Sequence, residues 1–260
     1  MHRFLREVED ILIKLSRNPA IELDDSEYSV PEKLLTYMRA ELLKGVPFSY
    51  ILEMSEFYNN QFYITPDVLI PRSETEQLVE LVVNKVTHPV ERMLDVGVGS
   101  GVILLSLLAQ NVAKKGVGVD VSQKAIEVAT INARRLRLLD RTEFKLSDRL
   151  FSVEGPFDLI VSNPPYIRAS SHYELVHQQV KTHEPHLALF LEDHAYDEWF
   201  GIFFRQVYDH LKSEGFFVME GHELEVEKQS QMLGEIGFSN IRVEKDLLGS
   251  PRFLIASRLH

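Results

Sequence analysis

Asn163-Pro164-Pro165-Tyr166 follows directly on the apolar run FDLIVS at 157–162. Two successive prolines hold the chain extended and remove two backbone donors. The carbonyls beside them must find partners elsewhere, so one face becomes rich in acceptors. The Asn163 side-chain oxygen and the Pro164 carbonyl are both available to an incoming NH₂ group, and Tyr166 offers an aromatic surface for a planar group. The nitrogen of an amide or aromatic amine is a poor nucleophile because its lone pair is delocalised. Accepting hydrogen bonds from both of its N–H groups raises electron density on nitrogen and aims it. Against a cationic electrophile neutral acceptors suffice, and catalysis becomes orientation and electrostatic preorganisation. Taken alone, the four residues also fit a rigid loop without chemistry.

A second motif lies upstream. Residues 93–105 read MLDVGVGSGVILL: a strand ending near Asp95, a loop with Gly97, Gly99 and Gly101, then an apolar helix. In doubly wound sheets a ligand sits beyond the carboxyl ends of the strands. Glycines there let backbone approach it closely, and a helix N-terminus presents free N–H groups. The nicotinamide fingerprint G-x-G-x-x-G fails, since Val102 stands at its third glycine. The D-x-G-x-G-x-G spacing instead resembles the first motif of class I S-adenosylmethionine-dependent methyltransferases, whose glycines accommodate the amino-acid part of that cofactor. The next strand ends in Asp120, 21 positions after Gly99. A carboxylate there can accept from both ribose hydroxyls. Ser147-Asp148, ending the third strand, resembles the position that contacts adenine. Each element alone reads as an ordinary strand–helix connector or cap; the three in order read as one site.

The acceptor is suggested by residues 45–80, which contain Gly45, Pro47 and Tyr50, then Glu56-Phe57, then Leu69-Ile70-Pro71-Arg72 with Thr75-Glu76. Downstream stand Glu184-Pro185, Ala188-Leu189 and the ending Asp246, Gly249, Arg252. Together these resemble the HemK/PrmC family, the peptide chain release factor N(5)-glutamine methyltransferases. The resemblance implies an enzyme that moves a methyl group from S-adenosylmethionine to a glutamine side-chain amide in a Gly-Gly-Gln loop. It implies cofactor contacts from Asp95, Gly97, Gly99, Gly101, Asp120, Asp148 and Asn163. Asn163, Pro164 and Tyr166 would be catalytic. The glutamine would lie against Asn163, Pro164, Pro165 and Tyr166, with Pro71, Arg72 and Thr75 lining the same pocket. The chain departs from the family in a shorter helical region before Gly45, in FLEDHAYDEWF after Leu189, in Ser73 and in Val98. Two alternatives stand beside this reading: an amino-methyltransferase for a DNA or RNA base, and a non-catalytic cofactor-binding scaffold.

The elements that must position these residues follow from periodicity. Strands are predicted at 92–96, 117–121, 142–146, 157–162 and 216–220, with helices at 75–87, 101–112, 122–137, 196–212 and 222–236. Strand-like runs at 240–245 and 252–257 come last. The alternation predicts an α/β fold with a doubly wound, mostly parallel sheet covered on both faces, and the resemblance implies that it is the Rossmann-like class I methyltransferase sheet with an antiparallel C-terminal strand. Phe4, Leu5, Val8, Ile11, Leu12 and Leu15 repeat at helical spacing up to Asn18-Pro19, and a second helix is predicted after Pro31. The expected organisation is a helical substrate-docking region at 1–50, a hairpin-like linker at 51–73 and the methyltransferase domain at 74–260.

The bulk properties bound the function. Lys and Arg total 28 against 39 Asp and Glu, a net charge of −11 over 260 residues. That argues against nucleic acid as the direct substrate, because phosphate binding favours a basic footprint. There is no cysteine, hence no disulfide or thiolate metal site. No signal-like or membrane-spanning run is evident, so a cytoplasmic location is expected. His183 and His186 flank Pro185, which breaks the helix that a zincin pair needs, and no metal is expected. His222 reads as a cap or polar rim, Trp199 as core or as a lip that grips a partner, and EGHELEVEKQ as a solvated helix face.

Overall fold

The computed structural model describes residues 30–259 and, upstream, Val8, Asp10, Ile11, Ile13, Lys14, Leu15 and Arg17. These upstream positions are helical. The rest of the helix predicted there, with Phe4, Leu5, Leu12 and the Asn18-Pro19 break, lies outside the described residues.

The centre is a seven-stranded sheet. Its strands are β3 (Val90–Val96), β4 (Ala113–Asp120), β5 (Thr142–Leu146), β6 (Phe157–Ser162), β9 (Leu211–Glu220), β10 (Ser239–Lys245) and β11 (Pro251–Ser257). They lie in the order β10-β11-β9-β6-β3-β4-β5. The run from β9 to β5 is parallel, whereas β11 is antiparallel to both neighbours and sits between β9 and β10. The expected doubly wound sheet with an antiparallel C-terminal strand is therefore the one observed.

Both faces are covered, and strand residues alternate between them with period two. Met93, Leu159, Val161 and Val218 join one core beneath helices α3 (Ser73–Lys85), α4 (Val102–Ala109) and α5 (Gln123–Arg135). Leu94, Ile160, Phe217 and Met219 join the other, beneath α8 (Tyr196–His210) and α9 (Val226–Ile236). Residues 102–108 of α4 are all buried, as suits a helix apolar all round. It lies so close to β4 that a Cβ on Gly116 would meet Leu104 Cδ1 at 2.5 Å; a Cβ on Gly118 would meet Val98 Cγ2 of the loop ahead of α4 at 2.8 Å.

Ahead of the sheet come α1 (Glu32–Leu43), the single turn α2 (Phe48–Ile51) and a hairpin of β1 (Met54–Phe57) and β2 (Asn60–Tyr63). Met38 of α1 and Ile51 share a satellite core with Val8, Ile11 and Leu15. The hairpin is fastened to the sheet through Asn132 of α5. Its Nδ2 donates to the carbonyls of Tyr63 (2.8 Å) and Ser100 (2.9 Å), and its Oδ1 accepts from Tyr63 N (2.7 Å). One buried amide thus holds the lead-in segment against the glycine loop.

Three expectations need correction. Strands β4 and β9 start earlier than predicted, because they open on polar residues (Lys114-Lys115; Lys212 to Glu214, the last at φ 65°) that hide strand in an apolar pattern. The run EGHELEVEKQ is no solvated helix: α9 starts only at Val226, and Glu220, Glu225 and Gln229 are buried. Between β6 and α8, where no element was expected, lie α6 (Gln178–His183), α7 (His186–Leu189) and a parallel two-residue pairing of β7 (Ile167–Arg168) with β8 (Phe190–Leu191). Arg168 of β7 pairs with Glu225 at 2.6 Å, and Tyr166, just ahead of β7, donates to Glu220 at 3.0 Å, so both buried acids are bonded.

Candidate active site

A cavity of about 530 Å³ opens at the carboxyl ends of β3 to β6, with Gly97, Asp120, Asp148 and Asn163 on its walls. Its floor is the glycine loop. Gly97, Gly99 and Gly101 have φ of 75°, 52° and 85°, a left-handed region that side chains other than glycine rarely adopt. The loop is held from below by Val119, whose carbonyl accepts from Gly97 N and Val98 N, both at 2.9 Å.

Asp120 closes the loop from the side. Its Oδ2 accepts from Gly99 N and its Oδ1 from Ser122 N, each at 2.9 Å. Each oxygen keeps a second lone pair for a hydroxyl in the cavity. Burial raises its carboxyl above the ordinary aspartate value, against the lowering effect of those backbone donors. Asp148 is half exposed and paired in a fork with Arg149, at 3.1 and 2.9 Å. Arg149 in turn lies over the Trp199 ring at 5.3 Å. Trp199 therefore packs on Phe200 and Phe203 and also forms cavity wall.

The opposite wall carries Asn163, Pro164 and Pro165 with Pro71, Arg72 and Thr75. Asn163 Nδ2 donates to Thr75 Oγ1 (3.1 Å), which donates to Glu220 Oε2 (2.7 Å). Tyr166 Oη donates to the other oxygen of Glu220 (3.0 Å). Glu220 is 1% exposed, and burial raises its carboxyl above the ordinary glutamate value. Among the described residues no donor is bonded to the Pro164 carbonyl. Arg72 is clamped by Glu184, itself buried, whose second oxygen accepts from Ile70 N at 3.1 Å. Tyr196 Oη donates to the Tyr166 carbonyl at 3.0 Å and tethers the loop from α8.

The structure thus brings ten of the residues expected from sequence to one cavity: Gly97, Gly99, Asp120, Asp148, Asn163, Pro164, Pro165, Pro71, Arg72 and Thr75. It does not bring three others to the wall. Asp95 points down from β3 and accepts from Leu104 N (3.1 Å), fixing the start of α4. Gly101 caps that helix, where a Cβ would meet Leu105 Cδ1 at 3.0 Å. Tyr166 turns its hydroxyl to Glu220 and meets His222 edge-on at 6.2 Å, so its ring is no stacking platform in the cavity. His222 in turn stacks on His172 at 4.4 Å.

Glu184, Tyr196 and Glu220 carry the supporting geometry and received no role from the sequence. For Glu220 a signal was present: an acid ending the buried run FFVM must be bonded to something. Among the described residues no group of three or more His, Asp or Glu could hold a metal ion.

Residues 73–189 match the family of the methyltransferase small domain. A release factor glutamine methyltransferase of Koribacter versatilis (strain Ellin345) is 38% identical over 221 residues, which span 82% of this chain and 75% of that protein. One of Flavobacterium psychrophilum (strain ATCC 49511 / DSM 21280 / CIP 103535 / JIP02/86) is 31% identical over 255 residues, 93% of this chain and 85% of that protein. Among solved structures, a ribosomal protein L11 methylase from Lactobacillus delbrueckii subsp. bulgaricus aligns with a TM-score of 0.54 at 24% identity, covering 73% of this chain and 81% of that one. That likeness concerns the fold.

Proposed function

Since the chain belongs to the release factor glutamine methyltransferases, we propose that it methylates the side-chain amide nitrogen of a glutamine in the Gly-Gly-Gln loop of a peptide chain release factor. The observation that carries this reading is the Asn163 amide, held by Thr75 so that its oxygen is left for the cavity beside the Pro164 carbonyl. Two neutral acceptors side by side match the two N–H groups of a primary amide.

The residues present fit S-adenosylmethionine. Positive-φ glycines leave the floor open to close approach, Asp120 offers lone pairs to a ribose diol, and the cavity volume suits a ligand of that size. Gly97 and Gly99 would accommodate its amino-acid part, Asp120 its ribose and Asp148 its adenine, with Asp95 and Gly101 acting from behind by shaping the loop. When bound, the cofactor supplies a methyl group on a cationic sulfur.

The chain does the rest by position. Asn163 Oδ1 and the Pro164 carbonyl accept from the acceptor amide, draw electron density toward its nitrogen and aim it. Pro165 stiffens that wall, and Tyr166, anchored on Glu220, fixes where it ends. Pro71 and Arg72, braced by Glu184, form the lip through which the glutamine enters. The segment 1–50, with its own small core, serves to dock the acceptor protein, and the hairpin in 51–73 ties it to the catalytic domain of 74–260.

The test is transfer from methyl-labelled S-adenosylmethionine to a bacterial release factor, beside a copy with the Gly-Gly-Gln glutamine changed to alanine. Label is expected on the intact factor alone. Asn163→Ala is expected to lower kcat by about a hundredfold or more, the scale of losing one preorganised polar group. Equal label on both factors, or none on either, would overturn the acceptor.

A further inference from the structure

We propose that Glu220 is a positioning residue for this transfer: as a carboxylate it dictates, through Thr75, which end of the Asn163 amide faces the acceptor. The inference rests on the role given to Asn163 above and concerns how that role is enforced.

A hydroxyl has one proton to give. Thr75 gives its proton to Glu220 Oε2 at 2.7 Å, because an ionised carboxylate can only accept. Thr75 Oγ1 must then accept from Asn163, at 3.1 Å, and the NH₂ end of that amide is turned to the wall. Oδ1 is left for the cavity. Reverse the first bond and the consequence reverses. With a donor at position 220, Thr75 is free to donate to Asn163 Oδ1. The amide can then flip and present NH₂ to an acceptor that itself brings NH₂, donor against donor. The orientation of Asn163 is therefore decided two bonds away, by a group that touches neither acceptor nor cofactor.

The surroundings suit a carboxylate held for this purpose. Glu220 is buried, takes Thr75 on one oxygen and Tyr166 on the other, and so also fixes the Tyr166 end of the wall. Facing it from the packed elements are Tyr166 after β6, Arg252 on β11 and Glu74 on α3. Burial and Glu74 favour its neutral form; Thr75, Tyr166 and Arg252 favour the charged one, and burial prevails, so the carboxyl titrates above the usual glutamate range. The sign follows: kcat is present above that raised value and is lost as pH falls through it.

The experiment compares the full-length protein with Thr75→Val, Thr75→Ser and Glu220→Gln, and with the Thr75→Val/Glu220→Gln pair, at saturating cofactor. Thr75→Val is expected to lower kcat by about tenfold or more with cofactor affinity kept, and Thr75→Ser, which retains the hydroxyl, to stay within about threefold of wild type. Glu220→Gln is expected to lower kcat and to abolish the acidic limb of its pH profile. The double variant is expected to be no worse than Thr75→Val alone, since the relay acts as a unit. Independently of any acceptor, the Asn163 side-chain NH₂ protons in ¹⁵N-asparagine-labelled protein should exchange about tenfold more slowly in wild type than in Thr75→Val. If the release factor takes no label but this protection is seen, the acceptor is wrong and the relay stands. Equal exchange in both proteins, additive losses, or an acidic limb that survives Glu220→Gln would overturn the relay.

Discussion

Asp95 lies beneath the glycine loop with one oxygen bonded to Leu104 N and the other buried without a partner among the described residues. Burial pushes its carboxyl up to about 7. Between its ordinary value and that one, the folded protein holds a proton that the unfolded chain has lost. Stability from this group is therefore greatest at the acid end of that window and falls as pH rises toward neutrality, by roughly 4 kcal/mol at most. Asp95→Asn keeps an acceptor for Leu104 and carries no charge. Urea midpoints measured at about pH 5 and about pH 8 should show the variant gaining on wild type as pH rises. A constant difference would show that Asp95 does not titrate there. At this scale the legible residues were those whose chemistry is contiguous in the chain. Asn163, its two prolines and the three loop glycines announce themselves by spacing. The Thr75–Glu220 bond joins residues 145 positions apart, so only the fold can bring them together. The direction of Tyr166 was likewise invisible, because it depends on where that acid lies.

Elements follow the same logic. Strands 142–146 and 157–162 were legible to the residue, the second as a buried apolar run and the first as the short polar–apolar alternation in TEFKL. The polar openings of β4 and β9 were not, since a strand is recognised by what it buries. The covering segment with β7 and β8 was missed because two-residue pairings leave no period to read. Arg168 binds there to both Glu225 and Asp197, and Asp193 accepts from the backbone of Ser170 (2.7 Å), so the atypical run after Leu189 is a structural clasp. Helix α4 sits on Gly116 of β4, and that contact is open to test. Gly116→Ala should cost about 1–3 kcal/mol in thermal or urea unfolding, since the new methyl meets Leu104 in a packed core. Gly118→Ala presses instead on Val98, inside the loop between Gly97 and Gly99. It should also weaken cofactor binding by calorimetry, whereas Gly116→Ala should leave that affinity nearly intact.

On the scale of the molecule, the docking role proposed for the leading helices lies apart from the proposed chemistry. The cavity sits on the sheet, while α1 and its satellite core stand ahead of it and present Tyr37 and Leu43 to solvent. A contact that holds ground state and transition state equally well changes KM and leaves kcat alone. Tyr37→Ala with Leu43→Ala should therefore raise KM for the release factor by roughly three- to tenfold with kcat unchanged. A matched fall in kcat would place α1 in the chemistry instead. The −11 net charge pointed away from nucleic acid, and the relatives that the chain matches are named for a protein acceptor. Among the described residues no helix is long and apolar enough to cross a membrane.

The insertion of β11 between β9 and β10 has a consequence for synthesis. Strands β3 to β9 emerge and pair in turn, yet β9 must wait with one side bare until residues 251–257 have followed. Until then its flank, with Phe217 and Met219, is a hydrophobic edge open to any other extended chain. A stop codon shortly before Pro251 would therefore leave more than a trimmed enzyme: β10 would have no neighbour to bond, and the nascent sheet would carry an adhesive border into a crowded cell.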